Sequence, residues 1–186
     1  MTPRHRSDFV LGGARSGKSR HALDLARHAR ARTAFVATAE PLDAEMRDRI
    51  ARHRAERPPA WCTVEEPVDL VRACRRLADR VDLIVVECLT LWVCNLLARG
   101  DDDAAVLSSA DALAALLRER LVSCVVVSNE VGQGVHPATG VGLRFRDLLG
   151  SVNQRIAEAA DRVTLMVAGL PVVIKPAARR VSVSRR

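Results

Sequence analysis

Short runs of consecutive apolar residues recur along the chain of 186 residues, and they predict the strands of a buried sheet. The five clearest runs are Phe9–Leu11, Thr33–Ala37, Leu83–Val86, Cys124–Val127 and Val163–Val167. Apolar and polar positions do not alternate within these runs, which is typical of parallel strands covered on both faces. Residues Leu170–Lys175 predict one further short strand.

Segments with helical character lie between the predicted strands, at residues 19–30, 43–56, 67–80, 89–98, 105–120 and 143–160. This alternation predicts an α/β domain with a mostly parallel sheet flanked by helices. Ligands of such sheets bind beyond the carboxyl ends of the strands. We predict a single domain over residues 1–175, followed by a basic, disordered tail over residues 176–186.

Composition narrows the class of protein. Apolar residues make up 48% of the chain, which indicates a globular protein with a core. No apolar run is long enough for a membrane span and no hydrophobic leader precedes the first strand, so we expect a cytoplasmic protein. The five cysteines form neither a C-x-x-C pair nor a zinc-spaced cluster, so we expect these cysteines to act as small, buried hydrophobic residues.

The charge of the chain favours phosphate-bearing partners. The formal net charge is +7, which permits binding of nucleotides, other phosphates or nucleic acid. The chain has no tyrosine and three phenylalanines, however, so a base-stacking platform has few residues to use, and we expect no nucleic-acid partner. The acidic segment Gly100–Asp103 is interpreted as a solvated turn between two helices.

The segment Gly12–Ser19 reads G-G-A-R-S-G-K-S and matches the phosphate-binding loop (P-loop) pattern G-x-x-x-x-G-K-S. Gly12 and Gly17 allow the backbone to turn sharply and to present its N–H groups to phosphate oxygens. Lys18 reaches the terminal phosphates, and the Ser19 hydroxyl can ligate Mg²⁺. The loop follows a predicted strand and opens a predicted helix, whose positive N-terminal end favours an anion.

An acidic residue directly follows the predicted strand Leu83–Val86. In P-loop proteins an acid at the end of a buried strand holds Mg²⁺ or its water, and Glu87 occupies that place here. The alternative is a strand-end carboxylate that faces solvent. With the P-loop already present, we favour the metal role for Glu87.

His53 admits two interpretations. On a helix, Met46, Ile50 and His53 share one face, which favours a partly buried histidine in a core stripe. Four neighbouring arginines (Arg49, Arg52, Arg54 and Arg57) instead suit a polyphosphate. Their charges also disfavour a second cation and so favour the neutral imidazole, which is the nucleophilic form. Spacing alone leaves both interpretations open.

Polar residues also follow the fourth predicted strand and continue into the next helix. Ser128–Gly134 reads S-N-E-V-G-Q-G, in which Asn129 and Glu130 offer polar ligands, although an ordinary strand-to-helix turn has the same composition. Arg146, Asn153 and Gln154 lie within two turns of one predicted helix and face either the site or solvent.

Taken together, these motifs resemble the bifunctional adenosylcobinamide kinase / adenosylcobinamide-phosphate guanylyltransferase family. The matching segments cover residues 12–22, 36–39, 43–53, 57–65, 87–97, 128–135, 145–157 and 160–171, in family order. The block R-I-x-x-H-x-x-x-R-P-x-x-W around His53 and the block S-N-E-V-G are the most specific. Two departures are His136 in the V-H-P segment and Leu143 where the family commonly has arginine.

The resemblance implies two reactions, a P-loop NTPase (RecA-like) fold and a homotrimer. ATP or GTP phosphorylates the aminopropanol hydroxyl of adenosylcobinamide, and GTP then gives GMP to that phosphate through a guanylyl-histidine at His53. The resemblance implies Lys18 as a second catalytic residue and Mg²⁺ held by Ser19 and Glu87. The nucleotide-binding residues it implies are Gly12, Gly13, Ala14, Arg15, Ser16, Gly17, Lys18, Ser19, Ala37, Thr38, Ala39, Arg54, Ala55, Glu56, Arg57, Glu65 and Glu87.

Two other functions remain open at this stage. One is a P-loop kinase of another small molecule that performs no guanylyl transfer, with a structural His53. The other is a non-catalytic nucleotide-dependent switch or nucleic-acid-binding module. An N-K-x-D guanine-recognition motif, which is usual in a GTPase switch, is absent, since neither Lys18 nor Lys175 follows an asparagine.

Overall fold

The structure is a computed structural model that describes residues 5–134 and 136–176. Nearly all of the predicted tail, residues 177–186, therefore lies outside the described residues. No helix within the described residues is long and apolar enough to cross a membrane.

One seven-stranded sheet organises the described residues. Its strands are β1 (Ser7–Gly12), β2 (Thr33–Ala37), β3 (Cys62–Glu65), β4 (Leu83–Glu87), β5 (Ser123–Asn129), β6 (Arg162–Val167) and β7 (Leu170–Lys175). The spatial order is β3-β2-β4-β5-β1-β6-β7. All neighbouring pairs are parallel except β6 and β7, which form an antiparallel hairpin at one edge. The predicted mostly parallel sheet is confirmed.

Six helices within residues 5–134 and 136–176 connect the strands. They are α1 (Lys18–Ala29), α2 (Ala44–Ala55), α3 (Leu70–Ala78), α4 (Leu89–Ala98), α5 (Asp103–Glu119) and α6 (Gly140–Ala159). All six were predicted with ends correct to within three residues. The predicted turn at Gly100–Asp103 is also present, and the Asp102 carboxylate caps α5 by accepting a hydrogen bond from the backbone N–H of Ala105 at 2.8 Å.

The sequence-based prediction omits one strand, β3. It has only four residues and lies at the edge of the sheet, where its outermost residues, Cys62 and Glu65, are exposed. A short edge strand needs no continuous apolar run, because a neighbouring strand covers only one of its edges and its side chains stay partly exposed. The pattern that identified the central strands was therefore absent.

The sheet separates two layers of buried side chains. The larger layer packs α3, α4, α5 and α6 against one face, with the fully buried Trp92 at its centre. The indole N–H of Trp92 donates to the carbonyl of Val68 at 2.7 Å, so this buried N–H group has a hydrogen-bond partner. The smaller layer packs α1 against the other face through Ala22, Leu23 and Ala26. Continuous apolar strands thus reflect burial from both sides.

Helix α2 contributes no buried residue to either layer. Of the two interpretations left open for His53, the core stripe with Met46 and Ile50 does not match the structure. The three side chains do share one face of the helix, but this face borders a cavity rather than the packed core. Helical spacing cannot distinguish a face that meets the core from one that lines a pocket.

The cysteines divide into three groups by burial, of which Cys88 alone is intermediate. Cys74 and Cys124 are buried, and burial raises the pKa of the Cys74 thiol to about 12. Cys62 and Cys94 are exposed, so the expectation of five buried cysteines is wrong for these two. All five cysteines are free thiols.

Candidate active site

The P-loop joins the end of β1 to the start of α1. Gly17 precedes α1 with a φ of 91°, in the left-handed region that favours glycine, and no side chain in the described part of the chain caps the helix. The first N–H groups of α1 are therefore available to a phosphate. Gly12 needs to be glycine for a different reason, since a Cβ there would lie 2.9 Å from the carbonyl oxygen of Met166 on the neighbouring strand β6.

The loop opens onto a cleft with a volume of about 950 Å³. Lys18 lines this cleft, and its Nζ donates to the carbonyl of Gly13 at 3.1 Å. Partial burial lowers the pKa of Lys18, and the negative charges that Cys88 and Glu87 can carry oppose this shift. A partly desolvated lysine beside free N–H groups is well suited to a terminal phosphate of a nucleotide.

Glu87 connects the P-loop to His53. The Ser19 hydroxyl donates to Glu87 Oε1, and His53 Nδ1 lies 4.0 Å from the same oxygen. The other carboxylate oxygen, Oε2, is buried without a hydrogen-bond partner among the described residues. The end of β4 thus places one carboxylate between the phosphate-binding loop and the histidine.

His53 occupies the last turn of α2, which begins after Asp43. The Asp43 carboxylate caps the helix by accepting a hydrogen bond from the Met46 N–H at 2.7 Å. The His53 side chain is 33% exposed, and it borders both the P-loop cleft and a second pocket. Arg49, one turn earlier, also borders both. A group bound in either cavity therefore reaches the imidazole.

The second pocket has an apolar lining with a few charged groups at its border. Its lining residues include Phe35, Ala37, Ala39, Met46, Ile50, Arg54, Arg57, Glu65, Glu87 and Leu91. Apolar walls with a small number of polar groups are typical of a pocket for a small organic ligand.

Arg57 is the most constrained cation of the second pocket. Its guanidinium lies 3.7 Å from the centroid of the Phe35 ring, in a cation–π contact, and Nη1 donates to the Thr63 hydroxyl at 3.4 Å. Burial lowers the pKa of Arg57, and its Nε has no partner among the described residues. Arg54, in contrast, is 63% exposed and forms a loose ion pair with Glu65 at 3.9 Å.

Most residues that the sequence assigns to the site lie together in these two cavities. Ala14, Arg15, Ser16, Gly17, Lys18, Ser19 and Glu56 line the cleft, whereas Ala37, Ala39, Arg54, Arg57, Glu65 and Glu87 line the second pocket. Gly12, Gly13, Thr38 and Ala55 line neither cavity.

Thr38 has a positioning role instead. Its side chain is fully buried, and its hydroxyl donates to the Cys88 carbonyl at 2.8 Å and accepts a hydrogen bond from the Cys88 N–H at 2.7 Å. The Thr38 N–H donates to the Glu87 carbonyl at 3.0 Å. These bonds fix the backbone on which the Glu87 carboxylate is carried.

The chemistry of the Ser19 and Glu87 pair fits Mg²⁺. This ion keeps several waters and is usually bound by one or two protein oxygens together with substrate phosphates. The Ser19 hydroxyl and the Glu87 carboxylate, whose Oε2 has no partner among the described residues, supply such oxygens next to the P-loop. No group of three or more His, Cys, Asp or Glu side chains within the described ranges could hold a metal without further ligands.

Sequence reasoning gave one cleft residue too little weight. Asn129, at the end of β5, lines the P-loop cleft but is not among the residues assigned to nucleotide binding. The signal was present, since Asn129 opens the polar segment after a buried strand. An ordinary turn has the same composition, and only the strand order shows that this turn lies beside the P-loop.

The chain matches the family described as cobinamide kinase / cobinamide phosphate guanyltransferase over residues 8–174. The chain belongs to this family. A bifunctional adenosylcobalamin biosynthesis protein, CobP, of Pseudomonas aeruginosa is 45% identical over 168 residues, which are 90% of this chain and 96% of that protein. CobU of Salmonella typhimurium is 41% identical over 181 residues, covering 90% of this chain and 98% of that protein.

One solved structure has a fold similar to that of this chain. The KaiC-like protein PH0186 of Pyrococcus horikoshii is similar with a TM-score of 0.53 at 15% identity, covering 88% of this chain and 71% of that one. At this identity the likeness speaks for the fold alone, and it confirms the predicted P-loop α/β architecture. The family resemblance seen in the motifs is confirmed by the family match.

Proposed function

We propose that this chain carries out both reactions of its family. In the first, a nucleoside triphosphate, ATP or GTP, phosphorylates the aminopropanol hydroxyl of adenosylcobinamide. In the second, GTP donates GMP to the new phosphate and gives adenosyl-GDP-cobinamide with release of pyrophosphate. The observation that carries the proposal is the place of His53, which borders the P-loop cleft and the second pocket and lies 4.0 Å from Glu87 Oε1.

The kinase step uses the P-loop. The acceptor oxygen attacks the γ-phosphorus, the bond from that phosphorus to the β,γ-bridging oxygen breaks, and the nucleoside diphosphate leaves while the hydroxyl proton passes to solvent. Phosphoryl transfer of this kind depends on positioning and charge stabilisation rather than on covalent chemistry by the protein. The N–H groups at the start of α1 and the Lys18 ammonium supply both.

The guanylyl step uses His53. A neutral imidazole nitrogen attacks the α-phosphorus of GTP, and the bond to the α,β-bridging oxygen breaks as pyrophosphate leaves. The phosphate of the corrinoid then attacks the same phosphorus, which breaks the nitrogen–phosphorus bond and returns the imidazole. The surrounding arginines, Arg49 and Arg54 among them, offset the phosphate charge during both displacements.

The second pocket suits the guanine base. Phe35, Ile50 and Leu91 provide apolar surface for a planar ring, and the Glu65 carboxylate at its border can accept hydrogen bonds from the N–H groups of guanine. Adenine presents a different pattern of donors. We therefore expect GTP to be favoured over ATP in the guanylyl step.

The proposed reactions also use Mg²⁺ bound next to the nucleotide phosphates. Ser19 and Glu87 would hold the ion, as their oxygens and the fit described above support. When bound, it supplies neutralisation of charge on the phosphate oxygens.

A homotrimer in the cytoplasm is also proposed. The support for self-association is strand β7, an edge strand whose side chains Leu170, Val172, Val173 and Ile174 are exposed and apolar, because such surfaces commonly pack against another chain. Light scattering coupled to size-exclusion chromatography would give three times the chain mass of 20.3 kDa, and a monomer would refute the trimer. Five free thiols and triphosphate substrates suit the cytoplasm.

The test of the guanylyl step is covalent labelling by GTP carrying a labelled α-phosphate, with Mg²⁺ present. The wild type should acquire an acid-labile, base-stable label that His53→Ala abolishes. The matched control is His28→Ala, which removes an exposed histidine of α1 that lines neither cavity. No label on the wild type, with GTP binding confirmed by calorimetry, would refute the transferase step and leave a small-molecule kinase or a nucleotide-binding module.

A further inference from the structure

Asn129 lies at the centre of the carboxyl edge of the sheet. Its strand, β5, is placed between β4, which carries Glu87, and β1, which leads into the P-loop. In the parallel register, Asn129 is opposite Gly12 on β1, and Glu87 on β4 is opposite Val127. The asparagine is therefore next to both of the elements that surround a bound triphosphate.

The backbone of Asn129 is fixed from three directions. Its N–H donates to the Thr90 hydroxyl at the start of α4 at 3.0 Å, and its carbonyl accepts a hydrogen bond from Asn153 Nδ2 of α6 at 3.0 Å. The following residue, Glu130, donates its N–H to the Gly12 carbonyl at 3.1 Å. A side chain on such a backbone is preorganised with respect to the P-loop.

The side chain of Asn129, in contrast, has an unmet hydrogen-bonding need. It lines the P-loop cleft, and its Oδ1 is buried without a partner among the described residues. A buried amide oxygen left without a donor destabilises the folded protein, because it has lost its hydrogen bonds to water. Turning the amide about χ2 would bring Oδ1 to the cleft, where a bound substrate can supply the missing donor.

The chemistry of the two substrates identifies that donor. An amide oxygen carries no proton and can only accept a hydrogen bond. The oxygens of an ionised triphosphate are also acceptors only, so they cannot be the donor. The hydroxyl group of the phosphoryl acceptor is a donor, and it must approach the γ-phosphorus held by the P-loop. The amide nitrogen of the same side chain can donate to an oxygen of the transferring phosphoryl group.

We propose that Asn129 is a catalytic residue of the kinase step, whose Oδ1 accepts a hydrogen bond from the acceptor hydroxyl and whose Nδ2 donates to the γ-phosphoryl group. It holds the attacking oxygen in line and takes up no proton, because a carboxamide is not a base at neutral pH. The inference rests on the proposed kinase activity. It assigns Asn129 no role in guanylylation of His53, which involves no acceptor hydroxyl.

The test compares Asn129→Ala with wild type in three measurements on the full chain. These are steady-state phosphorylation of adenosylcobinamide, the Kd of a non-hydrolysable triphosphate analogue and the extent of α-phosphate labelling. We expect kcat for phosphorylation to fall by roughly 10- to 100-fold, the range for loss of orientation of a reacting group. The Kd and the labelling should stay within about threefold, because the P-loop backbone itself holds the phosphates.

Two further variants keep the test decisive. Asn129→Ser retains a small polar side chain that is too short to bridge both groups, so it should fold and show the same loss of kcat. Gln154→Ala removes an exposed carboxamide from α6 and should leave all three measurements unchanged.

Three results would overturn the inference. An unchanged kcat in both Asn129 variants would refute the role of Asn129 alone. A parallel loss of phosphorylation, analogue binding and labelling would show that the side chain only supports the fold of the cleft. A wild-type protein that binds triphosphate but phosphorylates no acceptor would refute the kinase assignment, and the role of Asn129 with it.

Discussion

Arg57 offers a test in which binding and stability respond differently to one change. Its guanidinium contacts the Phe35 ring at 3.7 Å in the second pocket, and its Nε is buried without a partner among the described residues. The substitution Arg57→Met keeps most of the volume of the stem and lets a thioether pack against the ring, but it deletes the charge.

The expected change in stability is small because two effects oppose each other. The cation–π contact stabilises the folded state by about 0.5–2 kcal/mol. The unpartnered, buried Nε costs about 1–3 kcal/mol, a penalty that methionine does not carry. We therefore expect the free energy of unfolding of Arg57→Met to stay within about 1 kcal/mol of the wild-type value.

The expected change in nucleotide binding is larger. A hydrogen bond from the charged Arg57 guanidinium to a guanine nucleotide in the second pocket would contribute about 1.5–3 kcal/mol. Its loss corresponds to a Kd for GTP that is weaker by roughly 10- to 150-fold. Calorimetric titration with GTP and urea unfolding of the same preparation give the two quantities separately.

The matched control is Arg47→Met, an exposed arginine of α2 that lines neither cavity. It should change neither quantity. A Kd for GTP unchanged by Arg57→Met, together with a loss of more than about 2 kcal/mol in stability, would show that Arg57 is a structural residue. That result would refute the reasoning.

Three other changes follow from the structure. Gly12→Ala should weaken triphosphate binding by at least roughly tenfold in a calorimetric titration, because the added Cβ would lie 2.9 Å from the Met166 carbonyl and displace the loop; wild-type affinity would contradict this. Because burial lowers the pKa of Lys18 below the ordinary 10.5, its charge is lost at lower pH than that of an exposed lysine. Triphosphate affinity should therefore fall as pH rises toward 10.5, and Lys18→Arg should remove that part of the pH dependence, whereas the same pH profile in both proteins would exclude Lys18 as its source. Asp102→Ala removes the cap of α5 and should cost about 1 kcal/mol in urea unfolding without affecting GTP binding, and equal stability would show that the cap is not needed.

The architecture was accessible from the sequence because its main signals are local. Continuous apolar runs such as Leu83–Val86 are typical of strands buried on both faces, and the P-loop pattern carries its own backbone geometry. Edge strand β3 was not accessible, because a strand covered on one side has a weaker pattern. The order of the strands follows from contacts between distant segments, which the local pattern of residues does not contain.

The candidate site was accessible only in part. The local motif identified Lys18 and Ser19, but spacing alone could not show whether His53 lies in a core or at a cavity. The structure resolves this because α2 packs beside two cavities instead of into a buried layer. Asn129 required the register of β5 against β1, since nothing in its own neighbourhood distinguishes it from a turn residue.

The absence of any buried residue in α2 has a consequence for how the histidine is presented. Segments with little buried surface open locally at a small fraction of the free energy needed to unfold a domain, and their amide hydrogens exchange early. The amides of α2 should therefore exchange with solvent deuterium well before those of α4, whose residues Trp92, Val93 and Leu96 are fully buried. The helix that carries His53 should therefore open locally at a lower free energy than the sheet against which α4 packs.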